Sequence, residues 1–156
     1  MFIVLKNKNT LLFNEFEFKC CIGTNGLTSN KIEGDKKTPK GTYNLGPVYF
    51  RKDRVIPSTN LKKIVIKKDI GWCDDVNSKD YNKPIIIKHG IKCEKLYRKS
   101  RIYDLLILIN YNTPNPKKNK GSAIFLHLTK DYKKTLGCIG INKKDFEILL
   151  KIINKK

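Results

Sequence analysis

Apolar and polar positions alternate over short stretches through most of the chain and switch to a helical period only near its end. Phe2-Ile3-Val4-Leu5 reads as a first strand. Phe13, Glu15 and Glu17 against Asn14, Phe16 and Phe18 alternate imperfectly and run into Cys20-Cys21-Ile22, which Gly23-Thr24-Asn25-Gly26 breaks. Thr38-Pro39-Lys40-Gly41 is a turn signal, with Pro presetting φ and Gly tolerating positive φ. It leads into strands at Thr42–Leu45 and Pro47–Phe50. The β-branched runs Ile64-Val65-Ile66 and Ile85-Ile86-Ile87 predict two more, and Cys93 to Ser100 suits one or two helical turns.

Tyr103 to Ile109 is a continuous apolar run, the pattern of a central strand. In Ala123–Leu128 the residues Ala123, Phe125 and His127 fall on one face, and Ile124, Leu126 and Leu128 on the other. From Asn142 the period lengthens. Asn142 caps a helix with Asp145 three residues on, Phe146, Leu149, Leu150 and Ile153 form its apolar face, and Lys151, Lys155 and Lys156 suit its C-terminus. The pattern predicts a mainly β, β-rich α+β fold. The longest polar stretch, Thr113–Gly121, has a loop's length, so residues 1–156 are expected to form one domain.

Composition changes this picture little. The 156 residues are 40% hydrophobic and 30% charged, a soluble globular balance. No run approaches the roughly 18 apolar residues of a membrane span, so none is expected. The opening cluster is too short for the h-region of an export signal, which leaves location open between a cell envelope and the cytoplasm.

The net charge of +19 raises the reading of a basic nucleic-acid-binding module. Two facts argue against it. Only Arg51, Arg54, Arg98 and Arg101 supply guanidinium groups, and 64 of the 156 residues are Lys, Asn or Ile, a bias that by itself fills the surface with lysine. No nucleic-acid partner is expected, and the chain is expected to be a monomer.

Five cysteines, Cys20, Cys21, Cys73, Cys93 and Cys138, form no Cys-x-x-Cys pair. Cys73, His89 and Cys93 lack an evident fourth ligand for zinc, so neither metal nor cofactor is expected. The chemistry concentrates in His127 to Gly140. His127 ends an apolar strand, a loop follows, and Gly137-Cys138-Ile139-Gly140-Ile141 alternates again. A hairpin-like return brings Cys138 back beside His127, where an imidazole raises the thiolate fraction of a nucleophile. The Gly137 and Cys138 amides are then placed to hold an oxyanion. The bland alternative is a buried structural cysteine and a core histidine.

A resemblance sharpens the choice. Lys31-Ile-Glu-Gly-Asp35-Lys-Lys-Thr38-Pro39-Lys-Gly41-Thr-Tyr43 resembles the E-G-D-x-x-T-P-x-G-x-[FY] signature of YkuD-like L,D-transpeptidases. Gly71-Trp72-Cys73-Asp74-Asp75 with Tyr81-Asn82, and Glu94-Lys-Leu-Tyr97-Arg98 with Tyr103-Asp104, are similar to segments of a compact branch of that family. So are Gly121–His127 and Thr135-Leu136-Gly137-Cys138. Where many members have His-Gly and an Arg two residues after the Cys, this chain has His127-Leu128 and Gly140.

The resemblance implies a β-sandwich with Cys138 as nucleophile, His127 as proton donor and acceptor, and Gly137 in the oxyanion hole. It implies peptidoglycan tetrapeptide stems as partners. Cys138 would release D-Ala, hold the stem as a thioester, and pass it to a diamino-acid amine, giving a 3→3 cross-link. Water as acceptor would make it a carboxypeptidase. Asp35, Trp72, Asp74 and Arg98 are candidate stem-binding residues. Sortases share the His-before-Cys order but need an Arg after the Cys, and none follows Arg101; papain-like hydrolases have the reverse order.

Overall fold

The computed structural model describes residues 3–153. The Phe2 start of the first expected strand and the closing Lys155 and Lys156 lie outside them. Thirteen strands run along the chain before a single α-helix among the described residues. They are β1 (Ile3–Leu5), β2 (Thr10–Phe13), β3 (Phe16–Cys21), β4 (Leu27–Thr28), β5 (Thr38–Pro39), β6 (Leu45–Phe50), β7 (Lys63–Val65), β8 (Ile70–Cys73), β9 (Pro84–Ile86), β10 (Cys93–Lys95), β11 (Leu105–Ile109), β12 (Phe125–Leu128) and β13 (Ile139–Ile141). A 3-10 turn, Arg101–Tyr103, precedes β11, and α1 spans Lys143–Ile152.

Eight strands form the main sheet in the order β1-β2-β3-β13-β12-β11-β6-β7. A smaller sheet, β10-β8-β9, carries Trp72 and sits over one face. Helix α1 covers the other. Both faces of the central strands are therefore dry, which is why Leu105–Leu108 and Phe125–Leu128 read as unbroken apolar runs. The alternation expected in β12 sorts its residues between the two layers. Leu126 and Leu128 join Ile139, Ile141, Phe146, Leu149 and Leu150 on the helix side. Ala123 and Phe125 join Tyr49, Trp72, Tyr103, Leu106 and Cys138 on the side of the small sheet.

The helix begins as expected: the Asn142 side chain accepts from the Asp145 N–H at 2.9 Å. Other elements depart from the sequence reading. The alternation from Phe13 to Phe18 conceals a two-residue hairpin turn in which Asn14 takes a φ of 52°, a conformation Asn tolerates better than most residues. Cys93–Lys95 is a strand and not a helical turn, because it pairs with β8. Thr38-Pro39 pairs in parallel with Leu27-Thr28. No helix among the described residues is long and apolar enough to cross a membrane.

Candidate active site

His127 lies on β12 and Cys138 immediately precedes the adjacent β13, but the two strands do not form a hairpin. β12 and β13 run parallel, with Leu126 beside Ile139 and His127 beside Gly140. This corrects the hairpin expectation: the connection over residues 129–138 crosses back to the start of its neighbour, held by a parallel bridge between Gly23 and Thr135. Extending the register back by one residue puts Cys138 beside Phe125, two pairs along from His127. Because paired residues and those two apart share a face, thiol and imidazole face the same layer. Both line a cavity of about 790 Å³. They are little exposed, 8% for Cys138 and 7% for His127.

The sulfur has its own partners. The Phe125 N–H donates to Sγ at 3.4 Å, and the thiol donates to the Ala123 carbonyl at 3.2 Å. Burial, then the negative charge of Glu94, push the Cys138 thiol up to about 12. The Phe125 N–H, Arg98 and a hydrogen bond from Tyr103 act in the other direction.

His127 places Nδ1 2.9 Å from the Leu128 carbonyl. A carbonyl only accepts, so Nδ1 carries the proton and Nε2 keeps a free lone pair. Burial lowers the imidazole pKa; the Leu128 carbonyl opposes this and Arg98 adds to it. The resting pair is a neutral thiol and a neutral imidazole. Leu128 replaces glycine here at no cost to this contact, since only its backbone is used while its side chain packs on the helix side. Opposite His127, a Cβ at Gly140 would meet Cys21 Sγ at 2.8 Å, so the space an arginine would need is filled in this chain.

Gly137 has a φ of +141°, and a Cβ there would lie 3.0 Å from the Lys37 carbonyl. Its carbonyl accepts from Thr38 Oγ1 at 2.8 Å, which ties the segment before Cys138 to the Thr38-Pro39 segment. Its N–H, expected to be free for an oxyanion, donates to Thr135 Oγ1 at 3.1 Å. Thr135 in turn donates to the Cys138 carbonyl.

The expected stem-binding residues separate. Asp35 is not in the cavity wall. It accepts from the Lys31 ammonium and from the Ile32 and Lys37 N–H groups, and these outweigh burial to hold its carboxyl below the ordinary range. Three of its acceptor positions are thereby taken by its own loop. Trp72 is a core residue: 2% exposed, edge-on to Phe125 at 5.1 Å, with Nε1 donating to Asn82 Oδ1 at 2.9 Å. It supports the site from behind.

Asp74 and Arg98 do line the cavity. Asp74 Oδ1 is buried without a hydrogen-bond partner, and burial, with Glu33 and Asp75 adding and Lys92 opposing, raises its carboxyl. Arg98 Nη2 donates to Glu94 Oε1 at 2.8 Å, its guanidinium lies 4.0 Å from the Tyr103 ring centre, and its carbonyl is held by buried Arg51 at 2.8 Å.

Glu94 and Tyr103 were read from sequence only as parts of a family-like segment and not as site residues. The Tyr103 hydroxyl donates to Glu94, and its ring stands 5.4 Å from that of His127. The available signal was the four-residue spacing of Glu94 and Arg98 followed by a tyrosine in an otherwise apolar run.

The model of the L,D-transpeptidase catalytic domain family, YkuD, matches residues 1–156. The chain belongs to that family, which is enzymatic, and its mostly β architecture with one C-terminal helix is consistent with the family's fold. No curated protein and no solved structure matches it.

Proposed function

We propose that the protein is a cysteine L,D-transpeptidase acting on peptidoglycan tetrapeptide stems, with residues 1–156 as one catalytic domain. The observation that carries this reading is the shared wall. His127 on β12 and Cys138 at the entry to neighbouring β13 face the same layer and open into one cavity of about 790 Å³, room enough for a peptide segment.

With both groups neutral at rest, His127 Nε2 removes the thiol proton as Sγ attacks the carbonyl of the third stem residue. The carbon–sulfur bond forms, and the Cys138 N–H receives the negative oxygen. The Gly137 N–H joins it once Thr135 Oγ1 lets go. The imidazolium then returns the proton to the departing amine of D-Ala, the carbon–nitrogen bond breaks, and a thioester remains. A side-chain amine of a second stem, deprotonated by His127, attacks the thioester; the carbon–sulfur bond breaks, the sulfur regains the proton from the imidazolium, and the new amide is the 3→3 cross-link.

Lys36, Lys133 and Lys134 on the cavity rim offer counter-charges for stem carboxylates. Asp74, with its unpartnered oxygen, suits the ammonium of the diamino acid.

The test is intact-mass spectrometry of the purified protein with disaccharide-tetrapeptide, using Cys138→Ala as control. The expected product is an adduct equal to the stem minus D-Ala on the wild type alone. An unmodified wild type overturns the reading. Analysis of the same mixture for cross-linked dimers against free tripeptide separates transpeptidase from carboxypeptidase.

A further inference from the structure

Behind the nucleophile lies a buried asparagine that the reaction above does not use. Asn82, between β8 and β9, is 3% exposed and has a φ of 56°. All four hydrogen-bonding positions of its side chain are filled. Oδ1 accepts from Trp72 Nε1 at 2.9 Å and from the Ala123 N–H at 3.0 Å. Nδ2 donates to the Tyr111 carbonyl at 3.1 Å and to the Asn112 carbonyl at 2.9 Å. One side-chain amide thus ties β8 and the turn after β11 to the residue that leads into β12. That residue, Ala123, has a φ of 52°, a region that a side chain with a Cβ enters only at a cost. The chain is pinned on both sides of it: Asn82 holds its N–H, and the Ile109 N–H holds the Ile124 carbonyl at 3.0 Å. Bent between these anchors, Ala123 presents its own carbonyl to the Cys138 thiol, which donates to it at 3.2 Å. The Phe125 N–H, two residues on, donates to the same sulfur at 3.4 Å. One short stretch of chain therefore offers Sγ an acceptor and a donor and fixes where it sits.

We infer that Asn82 is a positioning residue for the nucleophile: by holding the Ala123 N–H it keeps Ala123 in the left-handed conformation whose carbonyl receives the Cys138 thiol. The inference rests on Cys138 being the nucleophile. Without Oδ1 the Ala123 N–H becomes a buried donor with no acceptor, and the bond that offsets the cost of positive φ is gone. Ala123 then relaxes toward negative φ and turns its carbonyl off the sulfur. The thiol keeps only the Phe125 N–H and is free to rotate about χ1. Its approach to a stem carbonyl no longer starts from one fixed place.

Asn82 also steadies the fold, but the two roles use different atoms. Nδ2 serves Tyr111 and Asn112, whereas Oδ1 serves Ala123 and Trp72. Asn82→Asp keeps an oxygen for Ala123 and tolerates positive φ, but sets its second oxygen against two carbonyls. It weakens the fold and spares the Ala123 bond. Asn82→Gly keeps the backbone conformation and loses both sets of bonds. A side chain that only steadied the fold would disturb the sulfur in both variants.

The experiment reads the infrared S–H stretch of Cys138. For each protein it is the difference from the same protein carrying Cys138→Ala, so that Cys20, Cys21, Cys73 and Cys93 cancel. A thiol that donates a hydrogen bond absorbs at lower wavenumber than a free one. The wild-type band is expected in the hydrogen-bonded position. Asn82→Gly is expected to shift it to the free-thiol position, and Asn82→Asp to leave it in place although the thermal midpoint falls. Adding Ala123→Gly to Asn82→Gly removes the cost of positive φ at that position and is expected to return part of the band. An unmoved band in Asn82→Gly overturns the inference, as does an equal shift in Asn82→Asp or a double variant with no return. Circular dichroism shows whether Asn82→Gly has folded; if it has not, a free-thiol band in the wild type or in Asn82→Asp overturns the inference. Because the S–H band needs no stem peptide, this outcome is independent of whether tetrapeptide acylates the protein.

Discussion

The backbone N–H of Phe125 points at the sulfur of Cys138 across 3.4 Å, from the strand that also carries His127 two residues later. The thiol meanwhile donates to the Ala123 carbonyl at 3.2 Å. A resting site built this way has no preformed thiolate–imidazolium pair. The sulfur sits in a socket with one amide donor ready for its anion, and the proton has to be drawn off during the reaction.

Alkylation of Cys138 should therefore climb steeply with pH. Burial and Glu94 place its thiol at about 12, so the thiolate fraction grows about tenfold per pH unit through the neutral and mildly alkaline range. The check is the pH profile of iodoacetamide labelling. A plateau near neutrality would show that the sulfur is already ionised at rest.

Replacing His127 by Ala removes the free Nε2 lone pair while leaving the strand in place. Turnover of a tetrapeptide stem should fall by about 10²–10⁴-fold, the usual worth of a positioned general base. Alkylation near neutral pH should slow as well. Equal labelling rates in the two proteins would separate the imidazole from the sulfur's activation.

Alkali should loosen the fold. Cys20 and Cys138 are both pushed up from 9.0 to about 12, chiefly by burial. A raised pKa means the folded state holds the proton more tightly than the unfolded chain. That stabilisation is complete below the unfolded value and is lost as pH rises from about 9 towards 12. The thermal midpoint is expected to drop across that window, and Cys20→Ala, read against its own neutral-pH value, should flatten the drop.

The Lys31–Asp35 pair should matter for stability more than a surface ion pair does. Both side chains are largely buried, and the Lys31 stem packs where a Cβ at Gly121 would fall, 2.7 Å from its Cγ. Lys31→Met leaves the carboxylate without its cation and should cost about 3–5 kcal/mol in urea unfolding. Because Asp35 is held below the ordinary carboxylate range, its contribution is present above the unfolded pKa and disappears as pH falls through the folded one.

Gly137→Ala forces a Cβ onto a backbone at φ +141° and against the Lys37 carbonyl. A loss of about 1–3 kcal/mol in stability is expected, with a larger proportional loss of activity because the Cys138 amide moves with it. Equilibrium denaturation beside stem turnover measures the two effects separately.

What the sequence made legible follows from which forces are local. The two faces of Ala123–Leu128, the helix from Lys143 and its Asn142 cap depend on side-chain period and one short hydrogen bond, and all were readable. Cys93–Lys95 was not, because three residues become a strand only through pairing with β8, some twenty residues earlier. The parallel course of β12 and β13 was hidden for the same reason: a polar loop does not state the direction of the strand it enters. At the site, His127 and Cys138 were visible from their residue types. The places of Asp35 and Trp72 were not, since a carboxylate bonded within its own loop and a tryptophan packed against Phe125 look the same in sequence as ligands of a cleft.

The parallel pairing of β12 with β13 also decides how the site can adapt. The imidazole is mounted on one of the two middle strands of an eight-stranded sheet packed on both sides, and the sulfur at the entry to the other. Shifting one against the other would mean breaking the central ladder. Fit to differently shaped guests falls instead to the segments around residues 31–36 and 129–136 at the mouth, and sequence change there can retune selectivity while the reacting pair keeps its spacing.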